Sequence, residues 1–312
     1  MKKTIFLSLV LVGLIFSCTK PSDNKSSGLI LAGIKGAKGT EIVCMNLDSG
    51  KVVNSTPIDS YMLGSTVYDP LSGGYGYVDC DTMFRLVNPE TGSLIKSIKL
   101  PGLVSQVVID SEDNMLIGRY CTMTYGEDPD TVDTKSVNVG APIYTNYVIR
   151  VDLATGEVVS NNKVDIGDGV YVSCYYYDQK EKGYVMYRSD QKLITVNPST
   201  GAVIKEVYVG RTLFNSVYNP GNNTLISMTY SYSDERNYVE VINPETGSVI
   251  SSNIVEPEIG YCSNIMGYDA ESNCYITATG DFKVLFYDIS TGEIKKSHKL
   301  DNPMTDIKFW RN

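Results

Sequence analysis

The chain has 312 residues, only a fifth of them charged, with 36 acidic against 27 basic side chains and a formal net charge of −9. Such an acidic balance argues against nucleic acid or anionic lipid headgroups as partners, since both would be repelled. A single histidine excludes multi-histidine zinc or haem centres, and 27 glycines and 23 tyrosines without a long helical period point to an all-β chain rich in turns.

In chain order, the first element is an apolar run from Ile5 to Phe16 behind Lys2-Lys3. A membrane helix needs about 20 apolar residues, so this run reads as an export signal. Directly after it, Ile15-Phe16-Ser17-Cys18 resembles the lipobox of bacterial lipoproteins. The resemblance implies a signal peptide over 1–17, lipidation at Cys18 and anchoring in the cell envelope, where more than one acyl chain makes attachment stable. Residues 18–27 then form a polar tether. Thr19 does not resemble an inner-membrane retention residue, which favours the outer membrane, on its periplasmic or outer side. Loss of Lys2 and Lys3 with the signal leaves 25 basic against 36 acidic residues.

From residue 28 to 312 one pattern recurs six times: Asn46-Leu-Asp-Ser-Gly50, Asn88-Pro-Glu-Thr-Gly92, Asp152-Leu-Ala-Thr-Gly156, Asn197-Pro-Ser-Thr-Gly201, Asn243-Pro-Glu-Thr-Gly247 and Asp288-Ile-Ser-Thr-Gly292. Each copy suits a hairpin loop in which Asn or Asp opens a type I turn and glycine supplies the left-handed residue that rejoins the strands. Successive glycines are 42, 64, 45, 46 and 45 residues apart, which sets a unit of about 45 residues, long enough for four short strands. A second mark, such as Tyr68-Asp69-Pro70 or Tyr218-Asn219-Pro220, ends an earlier strand of each unit. The predicted order is strand A, Asp/Asn turn, strand B, loop, strand C, Thr-Gly turn, strand D. The 64-residue spacing is one unit with an insertion between strands B and C, from about Cys121 to Asn146.

The mature chain opens on a strand B (from Gly28) and a strand C (Glu41 to Met45), and it closes on Thr305 to Trp310, which has the pattern of a strand A. The last strand is therefore predicted to complete the first unit and leave no lateral edge. The expectation is a six-bladed β-propeller of four-stranded antiparallel blades over 28–312, closed by one C-terminal and three N-terminal strands. The motif resembles the YVTN and quinoprotein-like propellers of bacteria. Quinoprotein dehydrogenases follow this turn with a docking Trp, whereas Leu94, Val158, Val203, Val249 and Ile294 lead those strands here, so no quinone cofactor is expected.

Six cysteines outside the signal could pair in 15 ways in an oxidising compartment; buried, unpaired thiols are the preferred reading. His298 falls in an outer strand, where it reads as an ordinary exposed residue. The acidic run Glu127 to Asp133 lacks the spacing of a calcium loop and reads as solvated. Candidate binding residues gather where the D-to-A and B-to-C loops share one face, because loops vary while scaffolds carry stability. They are Tyr61, Asp168, Tyr171, Arg211, Phe214, Glu258 and Tyr261, with Ser231 to Asn237 beside them, and Asn264 and Asp306 at the channel entrance. Aromatic groups beside a few acids and one Arg can stack on a flat or saccharide-like ligand while polar groups orient it. The reading is a lipid-anchored binding module for a glycan, a vitamin-like molecule or a protein partner, with no catalytic or metal residue assigned. The alternative is a carboxylate-based, metal-dependent hydrolase, lactonase or lyase using Asp306, Asn264 and Asn215.

Overall fold

The structure, a computed structural model, describes residues 30–36, 40–46, 49–58, 65–125, 142–167, 170–256, 261–300 and 304–310. Cys18, the tether, Tyr61, the acidic run 127–133, Asp168 and Glu258 lie outside the described residues.

Strands and turns make up the described chain. In order the strands are β1 (Ile30–Gly36), β2 (Thr40–Asn46), β3 (Lys51–Ile58), β4 (Thr66–Asp69), β5 (Gly74–Val78), β6 (Met83–Val87), β7 (Leu94–Lys99), β8 (Ser105–Asp110), β9 (Met115–Tyr125), β10 (Pro142–Asp152), β11 (Val158–Val164) and β12 (Val170–Asp178). They continue as β13 (Gly183–Arg188), β14 (Lys192–Val196), β15 (Val203–Tyr208), β16 (Leu213–Asn219), β17 (Thr224–Ser231), β18 (Arg236–Ile242), β19 (Val249–Val255), β20 (Tyr261–Asp269), β21 (Cys274–Thr279), β22 (Lys283–Asp288), β23 (Ile294–Lys299) and β24 (Met304–Trp310). Four sheets take four consecutive antiparallel strands each: β4–β7, β8–β11, β12–β15 and β16–β19. A fifth sheet has eight strands in the order β23-β22-β21-β20-β24-β1-β2-β3. Within it β24 runs antiparallel to β1, pairing Ile30 with Trp310 and Ile34 with Asp306, while β20 and β24 meet through one parallel bridge, Ile265 to Ile307.

The expected turns are present. All six Thr/Ser-Gly glycines have positive φ, from +67° to +81°, and each ends a tight turn such as Gly247 N–H to the Asn243 carbonyl at 2.8 Å. Strand composition follows position in the sheet. The second strand of a unit has a neighbour on both edges and both faces, so β5 and β21 are buried along their whole length. The fourth strand borders solvent, and β23 alternates between exposed and half-buried. Apolar clusters join each sheet to the next: Phe84 and Leu86 pack with Leu116 and Ile149, Ile117 with Tyr184, Val185 with Leu225, Ile226 with Tyr275, Ile276 with Val43, and Ile42 with Tyr75. The first strands likewise approach one another in succession, β4 to β8 and onward to β20, then β20 to β24 and β24 to β4.

Two local expectations differ from the structure. The flanks of the predicted insertion, 121–125 and 142–146, are ladder, since β9 and β10 stay paired as far as Tyr125 and Pro142, while 126–141 lie outside the described residues; β-branched and aromatic residues on both flanks sustain the pairing. His298 is half-buried instead of exposed. It sits edge-on to Phe286 at 6.0 Å and packs against Gly50, whose missing side chain leaves it room. Among the described residues Cys44, Cys80, Cys121, Cys174 and Cys274 are free thiols. Burial pushes the Cys44 thiol up to about 11 and the Cys174 thiol up to about 12, so both remain protonated and inert near neutral pH.

Candidate functional site

Between the sheets β12–β15 and β16–β19 lies a cleft of about 550 Å3. One wall is the connection from β15 to β16 (Gly210, Arg211, Thr212), and the other is the β17–β18 loop with Tyr232 and Asp234. These are a D-to-A and a B-to-C connection, the two loop types expected to share a face. Thr229, Tyr238, Glu240 and Ser252 form the base, and Gln191 comes in from the neighbouring sheet.

Arg211 is fixed from both ends. Its carbonyl accepts the Tyr187 hydroxyl at 2.7 Å, and its Nη1 donates to both carboxylate oxygens of Glu240 at 2.6 and 2.7 Å. Ser252 donates a third hydrogen bond to Glu240 at 3.0 Å. The Glu240 side chain is 7% exposed and that of Arg211 is 34%, so a sheltered carboxylate neutralises a guanidinium that still reaches the cleft. Opposite them, Tyr232 is 80% exposed and stands edge-on to Tyr230 at 5.0 Å and 88°. Asp234 accepts a hydrogen bond from the Tyr238 hydroxyl. Ser231 and Tyr238 together hold the Asp234 carboxyl below its ordinary range, leaving it an anionic acceptor at neutral pH.

The cleft therefore offers an exposed aromatic ring, several hydroxyls, the Gln191 amide and one carboxylate, with the single Arg charge already cancelled. Chemically that suits a neutral ligand rich in hydroxyl groups, whose C–H faces stack on tyrosine while its O–H groups meet the polar rim.

Phe214 of β16 is also exposed, at 42%, but does not line this cleft. Asp306 is 1% exposed, accepts the Thr66 hydroxyl, and lies 3.8 Å from Lys308 Nζ, so it is buried between β24 and β4. The backbone alone of Tyr171, Tyr261 and Asn264 is described. Among the described residues no three His, Cys, Asp or Glu side chains converge to hold a metal ion.

Neither a family model nor a curated protein matches the sequence. Among solved structures, the chain is similar to a protein of unknown function from Bacteroides caccae at 13% identity and a TM-score of 0.59, covering 92% of this chain and 100% of that one. A chain of a nidogen/laminin complex is similar at 9% identity and 0.60, over 90% and 98% of the two. A dihydro-heme d1 dehydrogenase in complex with DHE gives 12% identity and 0.50, over 86% of this chain and 63% of that one. The fold is a β-propeller.

Its blades are the four-stranded antiparallel units, and likenesses at such low identity carry fold and nothing more. Sequence reasoning placed Arg211 and the 231–237 loop on one face, where the structure brings them together, but missed Glu240. The signal was present in the repeat itself. Three residues before each Asn/Asp of the Thr-Gly turn stand Val43, Arg85, Ile149, Ile194, Glu240 and Leu285. Glu240 and Arg85 break an apolar register, and each is ion-paired. Arg119, on the same face, was also missed. Among the described residues its guanidinium donates to the neutral side-chain oxygens of Asn146 and Gln106, and burial pushes its pKa down.

Proposed function

We propose that the protein is a non-enzymatic, lipid-anchored binding module of the cell envelope that holds a neutral, hydroxyl-rich ligand of the glycan class in the cleft around Arg211 and Tyr232. The observation that carries this reading is the exposed Tyr232, backed edge-on by the half-buried Tyr230, facing a guanidinium already neutralised by Glu240. A free arginine would select an anion; a cancelled one selects by hydrogen bonding and shape. We further infer six blades closed by β24. Supporting this count are the antiparallel β24–β1 ladder, the single parallel bridge that alone links the two halves of the eight-stranded sheet, and the succession of first strands from β4 round to β24 and back. Anchoring through Cys18 rests on the lipobox resemblance, and placement at the outer membrane on Thr19, which does not resemble an inner-membrane retention residue.

Isothermal titration of the mature chain with a panel of neutral oligosaccharides tests the binding reading. Saturable binding is expected for at least one, weakened at least about tenfold by Tyr232→Ala, while the exposed position of Tyr232 leaves the melting temperature within a few degrees. Failure of every oligosaccharide to bind, or binding indifferent to Tyr232→Ala, rejects it. Metabolic labelling with an alkynyl fatty acid, expected in the wild type and absent in Cys18→Ser, tests the anchor separately.

A further inference from the structure

On the propeller's other face the first strands enclose a second cavity, of about 560 Å3. Three residues before the Asp/Asn that ends each first strand lie Thr66, Val107, Tyr175, Ser216 and Met266, and the Ile265–Ile307 bridge sets Lys308 beside Met266. All six line the cavity, as one layer. Tyr68, Tyr218 and Tyr268, each directly before its Asp/Asn, rim the mouth beside the turn prolines Pro70 and Pro220. The cavity thus opens among the Asp/Asn turns, away from the Arg211 cleft.

Among the described residues Lys308 is the only charged side chain in the lining. It is 18% exposed, with Asp306 behind it at 1% and outside the lining. The 3.8 Å from Lys308 Nζ to Asp306 Oδ1 exceeds a hydrogen bond, and Asp306 is held from its other oxygen by the Thr66 hydroxyl. The ammonium also stands 5.7 Å from the centre of the Tyr175 ring, a cation–π distance. An ammonium has three donors, and Asp306 and Tyr175 can take two at most. At least one donor is left toward the cavity, whose walls are mostly tyrosine, valine and methionine with the Thr66 and Ser216 hydroxyls in the same layer. Burial works against the charged form of Lys308, but Tyr175 and Asp306 outweigh it, so the ammonium persists.

We propose that this channel cavity is a second binding site, for a small planar organic anion whose aromatic body lies among Tyr68, Tyr218 and Tyr268 and whose carboxylate or sulfonate accepts a hydrogen bond from Lys308. Its volume falls in the range of small-molecule sites, roughly 300–1,000 Å3. Ligands of uncharged, apolar character would leave the Lys308 donor buried and unsatisfied, which is the physical basis of the selectivity. The site is independent of the glycan reading, since the two cavities share no residue.

Fluorescence titration of the mature chain with 8-anilinonaphthalene-1-sulfonate, and with uncharged N-phenyl-1-naphthylamine as its apolar counterpart, provides the test. The sulfonate is expected to saturate at about one per chain; Lys308→Met should weaken it at least about tenfold and change the uncharged probe less than about twofold. Absence of saturable sulfonate binding, equal sulfonate affinity in wild type and variant, or parallel loss of both probes overturns the proposal. Competition in the wild type covers a variant that fails to fold. Benzoate should displace the sulfonate at concentrations at least about tenfold below those of benzyl alcohol, and equal displacement also overturns it.

Discussion

Asp79 shows what one side chain does in a turn between second and third strands. It is 6% exposed, and its carboxylate accepts the backbone N–H groups of Asp81 and Met83 at 2.9 Å each and Arg85 Nε at 2.7 Å. Burial alone would raise its pKa; the hydrogen bonds from Met83, Arg85 and Asp81 prevail and hold it below the ordinary aspartate range. A carboxyl depressed in the folded state contributes stability that is complete above its unfolded pKa of about 3.9 and disappears as pH falls through the folded value. Asp79→Asn is therefore expected to cost about 1–3 kcal/mol at pH 7 in urea unfolding, with the gap to wild type closing as pH drops below about 4. A gap unchanged from pH 7 to 3 would refute this assignment. Residues of this kind were legible only by comparing equivalent repeat positions, because a single charged side chain in an apolar strand carries no mark of its partner. Arg85 and Glu240 stand out that way, and so does Lys308 among Thr66, Val107, Tyr175, Ser216 and Met266.

Each Thr-Gly turn is also a clasp between elements. Gly247 of the β18–β19 turn lies on the backbone of Tyr208 at the end of β15, Gly292 on Ile254 of β19, Gly201 on Lys163 of β11 and Gly50 on His298 of β23. Side chains of the outer strands complete the contact: Asn54 donates to the Pro89 carbonyl at 3.2 Å, Asn162 to Pro198 at 3.3 Å and Asn253 to Ile289 at 2.8 Å. Gly247→Ala meets two penalties, a left-handed φ of +72° that costs a side-chain-bearing residue about 1–2 kcal/mol and a methyl group overlapping the Tyr208 carbonyl oxygen. The variant is expected to melt several degrees below wild type, whereas Gly73→Ala, also left-handed but open for 4 Å around, should lose less. Equal losses would mean that the turn does not bear on its neighbour. Turn chemistry and strand order were readable because Asn, Thr and Gly act locally. The clasp was not, since its acceptors are backbone atoms some 35 residues away, and the length of the β9–β10 ladder was hidden because spacing between turns marks where an excess lies but not how far its flanking strands run on.

At the scale of the whole molecule, the repeat and its offset ends pointed to the pairing of Trp310 with Ile30, because a lone strand pattern after the last Thr-Gly turn needs a partner edge. A chain ending at residue 303 leaves β1 and β20 without that neighbour. It is expected to lose its cooperative melt and to run as soluble oligomers on size exclusion, while a monodisperse monomer melting as wild type would deny β24 a structural role. The location of each cavity was harder to foresee. Loop variability drew attention to one face, while the tyrosines that rim the other had already been explained as punctuation before Asp69, Asn219 and Asp269.

The β1–β24 ladder also orders events in time. Its two strands stand at opposite ends of the strand order, so β1 has no mate on that side until β24 has been made. Sheet completion is thus the last pairing available, whichever of the other ladders has already formed.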